Sequence, residues 1–154
     1  MDKNYALITG GSSGIGFEIA RDLAKRGYNI ILVSRNEQNL QDSCKHLSEE
    51  FNVSSDYISS DLANKETVRH IYQTTKERGY NVEILINNAG YGIASPFHET
   101  SLEDEEKFVR VLATSVISLT KLFVRDMVEM KAGKIMIVSS VAAFAPPSAI
   151  QVLY

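Results

Sequence analysis

Tryptophan is absent from the 154 residues, cysteine occurs once and histidine three times. The single Cys44 can form no internal disulfide, which excludes a disulfide-stapled scaffold and suits a reducing, cytoplasmic compartment. His46, His70 and His98 stand apart, without a second ligand at metal spacing, so no metal site is expected. No run approaches the roughly 18 apolar residues of a membrane span. The first four residues lead straight into an apolar segment, without the pattern of a signal peptide. Neither sign of charge dominates: 16 Lys and Arg against 19 Asp and Glu leave a net charge of −3. That balance argues against nucleic acid or an anionic membrane as the main partner.

What remains is an ordinary globular composition, 44% apolar and 23% charged, in a length that suits one domain over residues 1–154. The chain alternates two kinds of segment. Short apolar runs centre on Tyr5–Thr9, Ile30–Val33, Tyr57-Ile58, Ile84–Ile86 and Ile135–Val138. Between them, apolar residues recur at helical spacing: Ile15, Ile19 and Leu23; then Leu40, Cys44, Leu47 and Phe51; then Val68, Ile71 and Thr75. Gly27 sits where the first helix would stop, and Asn36 and Ser101 read as helix caps. Glu103, Asp104, Glu105 and Glu106 follow Ser101, where their charge suits a helix N-terminus. Val109, Leu112, Val116, Leu119, Phe123, Met127 and Met130 predict one long helix, or two nearly continuous ones, ended by Gly133. Apolar strands alternating with helices indicate a doubly wound α/β fold, with a parallel sheet covered on both faces.

The first strand runs into Thr9-Gly-Gly-Ser-Ser-Gly-Ile-Gly16 and then into a helix. Glycines at 10, 14 and 16 let the backbone turn tightly and approach a pyrophosphate, and the helix N-terminus offers free amides. The strand before and the helix after are the context such a motif requires. This spacing resembles the Thr-Gly-x-x-x-Gly-x-Gly loop of short-chain dehydrogenases/reductases. Asp61-Leu62, Asn87-Asn-Ala-Gly90 and Ser139-Ser140 are similar to further motifs of that family, in the same order.

The resemblance implies a Rossmann-type αβα domain and hydride transfer between a nicotinamide and a carbonyl or alcohol carbon. It assigns Gly10, Ser12, Ser13, Gly14, Ile15 and Gly16 to the pyrophosphate and adjoining ribose. Asp61 and Leu62 go to the adenine, and Asn88, Ala89 and Gly90 to the ribose and nicotinamide side. Ser140, with Ser139 as the alternative, is the catalytic serine. Tyr154 is the catalytic tyrosine, given a one-residue insertion before it. An acid at the end of the second strand would favour NAD. Ser34-Arg35 stands there instead, and a guanidinium beside a hydroxyl suits a 2′-phosphate, so NADP(H) is the expected cofactor.

Two departures qualify this reading. The family lysine would fall at position 158, and the family asparagine of the long helix is replaced by Leu112. The resemblance therefore implies that residues 1–154 are the N-terminal part of a longer reductase and are inactive alone. Ile135–Val138 would otherwise be an unguarded apolar edge. The alternative is a catalytically inactive NADP(H)-binding module or sensor. Residues 102–130 match the element through which family members commonly form homo-oligomers. Cys44 reads as a small core residue, and Tyr91 as a loop aromatic.

Overall fold

The structure, a computed structural model, describes residues 4–144; the expected catalytic Tyr154 lies outside the described residues. Five strands, β1 (Asn4–Thr9), β2 (Asn29–Ser34), β3 (Ser55–Ser59), β4 (Asn81–Asn87) and β5 (Lys134–Ile137), form one sheet in the order β3-β2-β1-β4-β5. Every neighbouring pair is parallel. Helices α1 (Gly14–Lys25), α2 (Glu37–Phe51), α3 (Thr67–Glu77), α4 (Leu102–Val109) and α5 (Ser115–Met130) supply the crossovers. Among the described residues no helix is long and apolar enough to cross a membrane.

Strand side chains alternate between two cores. Ala6, Ile8, Ile30, Leu32, Ile84 and Ile86 point to the α1–α2 layer, where they meet Ala20, Ala24, Leu40, Cys44 and Leu47. Leu7, Ile31, Val33, Ile58 and Leu85 point the other way, onto Val68, Ile71, Leu119, Phe123 and Met127. This is the expected doubly wound α/β architecture. Chain order reverses between β1 and β4, and in such sheets ligands sit in the crevice outside the strand C-termini at that point.

Three local expectations change. The α1 residues facing the sheet are Gly16, Ala20 and Ala24, while Ile15 is 66% exposed. Small side chains let α1 approach the strands closely, and Ile15 stands at the mouth of the helix. The second change concerns residues 102–130. Between α4 and α5 lies a wide helical turn, Arg110–Thr114, where the hydrogen bonds close one residue late. The extra residue shifts the inward face, so Phe108 and Val111 are buried and Val109 is 41% exposed. Finally, the residue that ends α5 in a left-handed conformation is Lys131 (φ 53°), not Gly133.

Candidate cofactor-binding site

Backbone geometry at the β1–α1 turn depends on glycine at two places. Gly10 has φ +65°, and its amide donates to the Val33 carbonyl at 2.7 Å, drawing the turn across the end of β2. A Cβ on Gly16 would lie 2.3 Å from the Gly10 carbonyl oxygen and 2.4 Å from Asn88 Nδ2. Only glycine allows the helix start to pass beneath its own loop.

The Thr9 hydroxyl ties this loop to the end of β4. It accepts from the Asn88 and Ala89 amides at 3.0 and 3.1 Å and donates to the Ile86 carbonyl at 3.3 Å. Asn88 completes the tie, its Nδ2 donating to the Thr9 and Gly10 carbonyls at 3.0 and 3.2 Å. The Asn88 side chain is thus a strut between two loops, and the neighbouring Ala89 and Gly90 present backbone to the crevice.

A cleft of about 570 Å³ opens above these loops. Of the residues singled out in the sequence, it brings together Gly10, Ser12, Ser13, Ser34, Arg35, Asp61, Leu62, Ala89 and Gly90. Gly14, Ile15, Gly16 and Asn88 are not part of its wall; Gly16 and Asn88 shape the turn from below. Asp61 is held in place as its Oδ1 accepts from the Ala63 amide at 2.9 Å and its carbonyl accepts from Thr67 Oγ1 at 2.6 Å. The Asn36 side chain caps α2 beside Arg35, accepting from the Asn39 amide at 3.0 Å, as expected.

Two features of the β2 end leave bonding capacity unused. Ser34 Oγ is buried and has no hydrogen-bond partner among the described residues. Arg35 is exposed on the cleft wall and forms no ion pair among them. Ser34 and Arg35 both line the cleft at this end, and a hydroxyl and a guanidinium are donors that suit a phosphate oxygen.

The far wall is made by Tyr91, which the sequence reads as a loop aromatic, and by Lys107 and Val111, which sequence reasoning missed. Lys107 and Val111 lie four apart, one helical turn, which is the signal that could have paired them. The Tyr91 ring meets Phe108 edge-on at 5.2 Å. Burial raises the Tyr91 hydroxyl pKa, Asp104 and Asp61 raise it further, and Arg35 and Lys107 oppose them.

Toward β5 the picture is sparser. Leu112 lies against Gly90, its Cδ2 3.0 Å from where a Cβ on that glycine would be. An apolar group fills this place, which can neither order a water nor pass a proton. Ser140 is exposed, and its Oγ accepts from the Ala142 amide at 3.1 Å, capping a short turn over Val141–Ala143. Its hydroxyl proton stays free to donate, although Ser140 is not part of the cleft wall. Cys44 is buried between α2 and β3; burial and then Asp56 push its thiol up to about 12, which suits a core residue and no nucleophile.

Residues 4–154 match the family model described as short chain dehydrogenase. The chain belongs to the short-chain dehydrogenase family. It is 34% identical over 148 residues to the very-long-chain 3-oxoacyl-CoA reductase of Bos taurus, covering 92% of this chain and 46% of that one. It is equally 34% identical over 148 residues to the inactive hydroxysteroid dehydrogenase-like protein 1 of Homo sapiens, covering 92% and 43%. L-sorbose reductase from Gluconobacter frateurii, solved with NADPH and L-sorbose, superposes with a TM-score of 0.91 at 30% identity. That match covers 99% of this chain and 59% of the reductase. The chain spans about half the length of the curated relatives it matches. The relatives and neighbours it resembles include reductases, and the part shared with them has the Rossmann-type fold.

Proposed function

We propose that residues 1–154 hold NADP(H) for an oxidoreductase that interconverts a carbonyl and an alcohol. The observation that carries this reading is the β2 end of the cleft, which the orphaned Ser34 and the unpaired Arg35 both line and where no acid replaces them. The fit with the cofactor continues along the crevice. The loop from Gly10 to Gly16 and the start of α1 offer amides to a pyrophosphate. Asp61 and Leu62 flank the space for a purine, and Ala89 and Gly90 offer backbone to a ribose. Bound there, the dinucleotide supplies a hydride.

The chain's own residues do the rest. The Thr9–Asn88 tie holds the two loops at fixed separation, so the cofactor meets a preformed site. Ser140 donates a hydrogen bond to the substrate oxygen. Tyr154 gives or takes its proton, which requires its pKa to fall by roughly three units from about 10, worth about 4 kcal/mol. Leu112 keeps the β4 side of the site apolar, so any proton relay runs by another path.

A second reading, a binding module without turnover, draws on Leu112. Following NADPH absorbance with the intact gene product and a panel of ketones and aldehydes separates the two. Consumption of NADPH with any of them supports the oxidoreductase; cofactor binding without consumption on the whole panel supports the module.

A further inference from the structure

Tyr91 is the one aromatic side chain among the described residues that line the cofactor cleft. It follows directly on Gly90, in the loop that leaves β4. The other apolar side chains of the wall are buried or half-buried, whereas Tyr91 is 43% exposed. A ring left that open is apolar area that a ligand can take out of water. Its position is set by packing: Phe108, only 1% exposed, meets it with ring centroids 5.2 Å apart and an interplanar angle of 89°. The Tyr91 hydroxyl makes no hydrogen bond among the described residues, so no polar tie accounts for the ring's place on the wall.

The surroundings of the ring belong to the adenosine end of the cleft. Leu62 and Val111, each 7% exposed, add apolar surface from the core to the same wall. Burial, then Asp104 and Asp61, raise the Tyr91 hydroxyl pKa, and Arg35 opposes them. The hydroxyl thus lies within electrostatic range of the residues proposed for the adenine and for the 2′-phosphate. A purine has a polar rim and two apolar faces, so it takes hydrogen bonds at its edge and cover on its faces. Asp61 offers an acceptor to the rim. An aromatic ring offers cover to a face, and such stacking strengthens the binding of a base by about tenfold.

We infer that the Tyr91 ring, held by Phe108, stacks on the adenine of the bound dinucleotide. This stacking rests on the NADP(H) reading and adds to it a residue that recognises the base. The adenine is common to NADPH and NADH, so Tyr91 strengthens both alike and leaves the choice between them to Arg35.

The test is calorimetric titration of the intact gene product with NADPH, NADH and adenosine 2′,5′-bisphosphate, which carries the adenine and the 2′-phosphate without the nicotinamide. Tyr91→Ala should lose about tenfold on all three ligands, and Tyr91→Phe should stay within about twofold of wild type. Tyr91→Trp gives a second readout, which serves even if Tyr91→Ala melts early. Residues 1–154 contain no tryptophan, so the emission gained over wild type comes from the introduced ring, and the bisphosphate should quench it. A loss confined to NADPH and NADH would put the ring against the nicotinamide and overturn the inference. Equal affinities of wild type and Tyr91→Ala, or emission that the bisphosphate leaves unchanged, also overturn it. So does a loss in Tyr91→Phe as large as in Tyr91→Ala, since the hydroxyl would then be the binding group. Wild type that binds none of the three ligands overturns the cofactor reading itself, and the stacking with it.

Discussion

The two halves of the sheet's carboxyl edge are built differently. Around β1, β2 and β3 the loops are locked by hydrogen bonds: Thr9 to β4, Gly10 to β2, Asp61 to its own turn. The edge strand β3 carries Ser55, Asp56 and Ser59, and Asp56 receives hydrogen bonds from Tyr80 and Arg78. Around β5 the same sheet is open. Ile135, Met136 and Ile137 are 36%, 47% and 56% exposed, and among the described residues β5 pairs only with β4. The difference separates recognition from chemistry: the half that would hold the cofactor is preorganised within the described residues, and the half that would transform a substrate draws on residues beyond them.

That contrast can be broken at its strongest point first. Gly16→Ala puts a methyl group against the Gly10 carbonyl, and should cost about 3 kcal/mol and abolish NADPH binding, read by melting and titration. Next is the open half. Ser140→Ala in the intact gene product should lower turnover by about 100-fold while leaving NADPH affinity unchanged, a split that a change in the locked half would not give. Arg35→Ala should weaken NADPH binding about 10- to 100-fold and NADH binding little; equal losses on both would refute the phosphate assignment. Thr9→Val keeps the shape but strands the Asn88 and Ala89 amides, and should cost about 1–3 kcal/mol in a denaturant titration.

The smallest effect lies at the β3 edge. Burial pushes the Asp56 carboxyl up, but hydrogen bonds from Tyr80 and the Tyr57 amide, with the Arg78 charge, outweigh it and hold the pKa below its ordinary value. A depressed folded pKa contributes stability above the unfolded value of about 3.9, and that part is lost as pH falls below it. Asp56→Asn should therefore flatten the acid side of the stability profile and leave the neutral side lower than wild type.

The fold was largely legible in the sequence because its strands are apolar throughout and its caps, Asn36 and Ser101, are side chains that act locally. The glycine loop was legible for the same reason: its constraint is a backbone one, written in residues 10 to 16. The wide turn at Arg110–Thr114 was not, since it alters hydrogen bonding without any breaker residue and shifts the inward face by one position. Nor was the small-residue face of α1, because Gly16, Ala20 and Ala24 make the closest contact while Ile19 and Leu23 pack at its side and Ile15 is exposed. Tyr91 joined the cleft only through tertiary packing, and the four-residue spacing of Lys107 and Val111 puts those two on one helix face without saying that this face meets the cleft. The acid–base half rests on Tyr154, outside the described residues, and stays an assignment by family resemblance.

Paired titrations of the intact gene product with NADPH and NADH test the central claim most directly. NADPH should bind at least about tenfold more tightly than NADH, through Ser34 and Arg35. Equal affinity, or tighter binding of NADH, would contradict the account.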